Sequence, residues 1–302
     1  MSAAPAAAQQ AHAPRPLRGI LLMIATVCSF ATMEAIVKWL SQSYPVTMIT
    51  WVRYLVQVLL MLALFWPKMG PRIVATSRPG MQVLRGAVLG LSSLLFFTGL
   101  AGIPLAEATA ISSIGPILVT VFAVRLLGEK APPGTAWALA ASFCGVLLIV
   151  RPGSAAFAWS ALLPLASAVC YAGYQLMTRR LAGVDDGTST LFLGALVAAG
   201  VLSLFVPFHW KMPMSVADAL LLVAIGGIGG LGHMTLVKAL ESAPATLLAP
   251  FSYLHLVVSL GLGLLVFGSF PDAIALVGIG MIVASGIAML VRSRMAIEPV
   301  ED

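Results

Sequence analysis

The chain has 302 residues, 60% of them hydrophobic and 9% charged, with a mean hydropathy of +1.02. Soluble domains carry about 25% charged residues, so this composition excludes a soluble enzyme and describes an integral membrane protein. A net charge of +6 and a pI near 9.6 raise nucleic-acid binding as a question, which the placement of the basic residues answers below.

Residues 1–16 are rich in Ala, Pro and Gln, have little capacity to bury themselves, and are expected to form a disordered cytoplasmic tail. The first apolar stretch exceeds a signal-peptide core of about 7–15 residues and reads as an uncleaved span. Crossing the hydrocarbon takes about 20 apolar residues. Stretches of that kind lie at 18–40, 45–66, 80–101, 105–126, 133–150, 157–179, 187–208, 216–239, 244–267 and 271–291. The predicted fold is all-α and integral to the membrane: ten transmembrane helices in two inverted five-helix repeats. Repeat 1 covers 18–150, repeat 2 covers 157–291, and 292–302 form a second cytoplasmic tail. No segment outside the spans is long enough for a globular domain, which argues against an ATP-driven pump or a sensor with a soluble output domain.

The repeat shows in the residues. A shift of 140 carries Gly86, Gly90, Leu91, Leu100, Pro104, Ser112 and Gly128 onto Gly226, Gly230, Leu231, Leu240, Pro244, Ser252 and Gly268. A shift of 142 carries Val27, Cys28 and Lys38 onto Val169, Cys170 and Arg180. Leu and Gly are common here, so the weight rests on Pro104/Pro244 and Gly128/Gly268 at matching span boundaries. An odd number of spans per repeat turns the second half upside down, the arrangement that places a binding site in mid-membrane.

Arg15, Arg18, Lys68, Arg72, Arg78, Arg85, Arg125, Lys130, Arg179, Arg180, Lys238, Arg292 and Arg294 gather at one face, and Lys38, Arg151 and Lys211 at the other. The positive-inside rule then makes both termini cytoplasmic. The basic balance is topology, and no nucleic-acid partner is implied. Cys28, Cys144 and Cys170 lie inside spans, without metal-ligand spacing or a disulfide pattern. No metal and no cofactor are expected. Gly227, Gly229 and Gly232 make a G-x-G-x-x-G within an apolar span, without a preceding strand or a ribose-binding acid, and suit close helix packing.

Ionisable groups inside a membrane are costly unless paired, which makes each a functional candidate. Glu34 in span 1 and Arg53 in span 2 fall roughly 9 and 12 Å below the same surface at about 1.5 Å per residue, so an ion pair between them is expected. A local pair of Glu34 with Lys38 is the alternative. Polar and aromatic stripes follow: Thr50, Arg53, Tyr54 and Gln57 in span 2; Thr109, Ser112 and Ser113 in span 4; Ser167, Tyr171, Tyr174, Gln175 and Thr178 in span 6; Ser252, Tyr253, His255 and Ser259 in span 9. Such stripes face protein or a water-filled cavity, since hydrocarbon cannot satisfy them. The candidate substrate-binding set is Glu34, Arg53, Tyr54, Gln57, Tyr171, Tyr174, Gln175, Ser252, Tyr253 and His255. Pro116, Pro164 and Pro250 should each interrupt a span, with Pro116 and Pro250 as candidate hinges. His233 serves equally as a packing residue or a ligand.

Gly115-Pro116 to Gly128-Glu129-Lys130, running into Gly145-Val146-Leu147-Leu148, together with Trp51-Val52-Arg53-Tyr54, resembles the drug/metabolite transporter superfamily, EamA type. The resemblance spans residues 18–291. It implies a central cavity between the inverted halves and movement of a small organic metabolite across the bacterial inner membrane by alternating access. Repeat 2 departs from the pattern, with Ser269 in place of the Glu after Gly268 and Leu256 at the position of Pro116. Ala249-Pro250-Phe251-Ser252-Tyr253-Leu254-His255-Leu256 resembles the subgroup that takes up S-adenosylmethionine or riboflavin. The tyrosines suit a flat neutral ring, which puts riboflavin first. S-adenosylmethionine uptake or exchange, export of an amino acid or other metabolite, and a non-transporting scaffold are the alternatives. A channel lacks the ring of matching polar groups it needs. Monomer and homodimer are both open.

Overall fold

The computed structural model describes residues 16–128, 134–154, 157–181, 183–243 and 245–295. Helices make up the fold, and no strand occurs among the described residues: α1 Pro16–Leu40, α2 Val46–Met69, α3 Pro79–Gly102, α4 Leu105–Ser112, α5 Gly115–Leu127, α6 Thr135–Val150, α7 Leu162–Leu181, α8 Gly187–Ser203, α9 Val216–Ser242, α10 Ala245–Ser252, α11 Leu254–Phe267 and α12 Ala273–Met295. With α4–α5 and α10–α11 each forming one broken span, these are ten transmembrane helices in two five-span repeats. The stretches α1, Val46–Val74, α3, Leu105–Leu126 and Val216–Leu240 are long and apolar enough to cross a membrane, and α6, α8, α11 and Ala273–Met289 are shorter apolar helices.

The two repeats interlock. Helix α1 packs on α9 and, correspondingly, α7 on α3; α2 meets α9 as α3 meets α8; α6 and α12 pair at the periphery. Each crossing carries a matching device. A Cβ on Gly86 would lie 2.6 Å from Val197 Cβ, and one on Gly226 would lie 2.4 Å from Val56 Cβ, so glycine alone allows α3–α8 and α9–α2 to approach this closely. The α1–α9 crossing holds Thr26 and Thr235 with hydroxyls 2.9 Å apart, and the α3–α7 crossing holds Ser92 and Ser167 at 3.0 Å. Gly128 and Gly268 both end their spans in the left-handed conformation, at φ 70° and 60°. The Pro104 half of the other boundary pair precedes α4 as its N-cap, while Pro244 lies outside the described residues.

Both broken spans break at one place in the repeat, Ser113–Ile114 in the first and Tyr253 in the second. Pro116 follows the first break inside the opening turn of α5, where its missing N–H is tolerated. In span 9 the backbone of Pro250 belongs to α10, and its side chain lies outside the described residues. Leu256, at the place of Pro116, is buried within α11, and the helix breaks nevertheless. Pro164 corrects the sequence expectation. It occupies the first turn of α7, after a 3-10 turn at Trp159–Ala161, and interrupts nothing. Its ring fills the space beside Gly99, where a Cβ would come within 2.4 Å.

Loops tie the repeats at both ends of the bundle. At one end Tyr44 Oη donates to Asp218 Oδ2 at 2.8 Å and accepts from Met214 N at 2.7 Å, while Lys211 Nζ donates to the Ser43 carbonyl at 2.8 Å. At the other, Asp185 accepts from Ser77 N at 2.8 Å, from Gln82 Nε2 at 2.9 Å and from the Thr76 hydroxyl.

Candidate functional site

Glu34 is buried on α1, with its carboxylate directed at the seam between the repeats. Oε2 stands 3.2 Å from His255 Nε2 on α11 and 3.3 Å from Thr109 Oγ1 on α4. The imidazole is within ion-pair range yet makes no aligned hydrogen bond. Thr109 Oγ1 also donates to the Leu105 carbonyl at 2.9 Å and lies 3.3 Å from Ser259 Oγ. One hydroxyl proton cannot serve three acceptors at once, so Thr109 steadies the carboxylate without saturating it. Each broken span thus contributes a group to Glu34, Thr109 just before the first break and His255 just after the second.

The expected Glu34–Arg53 ion pair is absent. Arg53 Nε lies 3.2 Å from Met33 Sδ, its guanidinium sits over the Tyr54 ring at 4.6 Å and 5.7 Å from the Phe97 ring, and Nη1 is buried without a partner. Depth was matched, but azimuth was not. Neighbouring residues on a helix with 3.6 residues per turn point about 100° apart, so Met33 meets Arg53 and Glu34 turns to α4 and α11. The alternative partner, Lys38, is also elsewhere, donating to the Leu100 and Ile103 carbonyls at 2.9 and 2.7 Å, where it caps α3.

The other candidates fall into neighbouring groups. Gln57, one turn from Arg53, is buried with Oε1 unpartnered. Tyr54 Oη is 2.6 Å from Ser93 Oγ. Tyr54 and Tyr174 share a buried cluster with Leu89 and Phe192. Tyr171 keeps 36% of its surface accessible, with its hydroxyl accepting from Gln175 Nε2 at 3.1 Å and its ring 5.6 Å from that of Tyr174. Ser252 and Tyr253 are partly buried at the second break, and the Tyr253 hydroxyl abuts α12 where a Cβ on Gly286 would fall 1.6 Å away. His233 packs edge-on against Phe30 at 5.0 Å. Two glycines of the G-x-G-x-x-G stretch face helices, a Cβ on Gly229 meeting Met33 Sδ at 2.9 Å and one on Gly232 meeting Phe30 at 2.8 Å, while a Cβ on Gly227 would meet nothing within 4 Å.

By sequence Arg85 belongs with the charges of one membrane face, but the fold encloses it. It is 1% exposed, donates to Gln82 Oε1 at 3.2 Å, Thr178 Oγ1 at 3.2 Å and the Thr190 carbonyl, and lies 5.0 Å over the Tyr174 ring. It joins α3 to α7 and α8 across the repeats and covers one face of Tyr174. The signal available was its position a full turn inside α3 with Gln82 at i−3. Thr109 and Ser259 stood in the polar stripes, but only the structure brings them to Glu34.

A model of the EamA-like transporter family matches the chain twice, over residues 17–151 and 158–292. The pseudopaline exporter CntI of Pseudomonas aeruginosa strain UCBPP-PA14 is 32% identical over 277 residues, covering 90% of this chain and 95% of the exporter. A riboflavin transporter of Rhizobium johnstonii is 28% identical, covering 93% of each chain, and an S-adenosylmethionine uptake transporter of Rickettsia conorii is 26% identical, covering 93% of this chain and 95% of that one. A solved crystal structure superposes with a TM-score of 0.64 over 93% of this chain and 99% of its own at 20% identity, a likeness of fold alone. The interlocked five-span repeats, the two broken spans and the doubled family match agree, and the chain belongs to the EamA-like transporter family, as a multi-pass membrane transporter of small molecules rather than an enzyme.

Proposed function

We propose that this transporter carries a small, largely neutral, ring-bearing metabolite, riboflavin before others, across the bacterial inner membrane by alternating access, with both termini cytoplasmic. The observation that carries this reading is on α2. Arg53 Nη1 and Gln57 Oε1, one helical turn apart and beside Tyr54, are buried without partners. Buried polar groups are almost always satisfied, and a flat solute with hydrogen-bonding edges would satisfy both while stacking on tyrosine. Tyr171 and Gln175 supply an accessible ring and amide on the facing repeat. Glu34, Ser252, Tyr253 and His255 complete the lining, and the breaks beside Pro116 and Pro250 act as hinges.

The orientation is tested by reporter fusions in the 67–79 and 151–156 loops, the first reporting cytoplasm and the second the opposite face. Substrate is tested in a bacterium unable to make riboflavin. Expression should rescue growth at low external riboflavin, and Tyr171→Phe should be milder than Tyr171→Ala. A stacked ring contributes roughly 0.5–1.5 kcal/mol beyond its buried area, about twofold to twelvefold in apparent affinity. Failure of rescue together with accumulation of labelled S-adenosylmethionine transfers the reading to that substrate. Arg53 favours a second reading, export of a metabolite bearing a carboxylate, because no carboxylate lies within ion-pair distance of it among the described residues. Efflux of labelled amino acids or other carboxylates from loaded vesicles distinguishes it. Vesicles that move no solute at all would leave a scaffold.

A further inference from the structure

We infer that Glu34 and His255 form a proton-binding site whose occupancy is coupled to reorientation of the repeats, making this a proton-coupled transporter; the inference deepens the transport reading above. In this pair an acid and a base face each other at the seam between the repeats: Oε2 and Nε2 are 3.2 Å apart, and each side chain is largely buried. The geometry does not fit a static structural bridge. The imidazole Nε2 is close but misaligned, and the carboxylate shares Thr109 with the Leu105 carbonyl and Ser259. A buried pair kept for rigidity satisfies its remaining valences; here the imidazole Nε2 stays without a hydrogen-bond partner. Position adds the second argument. Thr109 precedes the break in span 4 and His255 follows the break in span 9, so a change of angle at either break moves a partner of the carboxylate.

Two protonation states follow. With one shared proton the pair is carboxylate and imidazolium, attracted across the seam. A second proton, taken from water at Glu34 Oε2, leaves a neutral acid beside imidazolium and removes the attraction, freeing α11 from α1. Release of that proton on the other side restores the pair. Other charged groups on the surrounding helices are engaged elsewhere. On α2, Arg53 lies against Met33; on α3, Arg85 is bonded to Gln82, Thr178 and Thr190; on α1, Lys38 caps α3. On α9, His233 sits against Phe30, Lys238 lies toward the end of the helix, and Asp218 is held by Tyr44 at the far end; α4 brings Glu107 in its first turn, and α10 carries no ionisable residue.

Infrared difference spectra of the purified full-length protein, recorded between acid and alkaline buffer without any solute, test the site directly. The wild type should show the carbonyl stretch of a buried carboxylic acid, absent in Glu34→Gln and displaced in His255→Gln; an unchanged spectrum in Glu34→Gln overturns the proposal. Proteoliposomes with the membrane potential clamped test the coupling, with radiolabelled riboflavin as probe. One proton per solute gives about tenfold accumulation per unit of pH gradient, and in Glu34→Gln the ratio of uptake with and without the gradient should fall to about one, whatever its absolute rate. Wild-type counterflow that ignores the pH gradient, or that follows a sodium gradient instead, overturns the proposal. Absence of riboflavin counterflow in the wild type defeats the substrate reading alone, and the infrared result then decides.

Discussion

Glu34 is held by partners from both halves of the protein, whereas Arg53, at nearly the same depth, is held by sulfur and aromatic faces. Their energetics should differ accordingly. Groups in contact show coupling energies of about 0.5–3 kcal/mol, while groups without shared partners add. Glu34→Gln with His255→Gln should therefore be non-additive in detergent thermal unfolding, and Glu34→Gln with Arg53→Gln additive; a strong coupling in the second cycle would restore the ion pair that the structure lacks. Gly286 makes an equally local prediction. Alanine there would collide with Tyr253 Oη, 1.6 Å from the new Cβ. Overpacking of this kind costs about 1–3 kcal/mol, read as a lowered Tm, and Tyr253→Ala should relieve most of it. The sequence made the importance of Glu34, Arg53 and His255 legible because ionisable groups in apolar spans stand out. It could not reveal who meets whom, since a shift of one residue turns a side chain by about 100° and the partner of Glu34 comes from the other repeat, far along the chain.

Elements were more legible than their internal breaks. Period and length marked the spans, and Gly128 and Gly268 marked two of their ends, because a left-handed terminus favours glycine. Proline was a weaker guide: Pro164 begins a helix, and span 9 breaks three residues beyond Pro250. The loops carry a pH dependence that can be worked out. Ser77 N–H foremost, then Thr76 and Gln82, hold the Asp185 carboxyl at about 2, below the ordinary value of about 3.9. A depressed carboxyl contributes stability that is complete above about pH 4 and lost as pH falls through about 2. Asp185→Asn should therefore lower Tm at neutral pH, with the deficit shrinking as the pH falls through about 2 and gone below it. The effect should be modest, since the carboxyl is partly open to solvent and screened. A deficit that persists unchanged in acid would show that Asp185 acts by packing rather than charge.

For the whole molecule, the decisive feature is that each half packs its first helix on the third span of the other, α1 on α9 and α7 on α3. Each half completes buried polar groups of the other: Thr235 meets Thr26, Ser167 meets Ser92, and Thr178 and the Thr190 carbonyl accept from Arg85. Separate expression of residues 1–155 and 156–302 should yield unstable fragments, and co-expression should give a complex that purifies together; a stable, monodisperse first half would contradict the interlock. The same feature reaches back to synthesis. Between the emergence of Leu40 and that of Val216 the ribosome needs roughly 10–40 s at about 5–20 residues per second. Through that interval Glu34 waits for His255, and Gly229 and its helix have yet to cover Arg53. The nascent chain must keep both charges tolerable in lipid, each at a cost of several kcal/mol at the bilayer centre, by tilting them toward the headgroups or sheltering beside the insertion machinery. A translational pause after α8 would lengthen that exposure, and one after α11 would not.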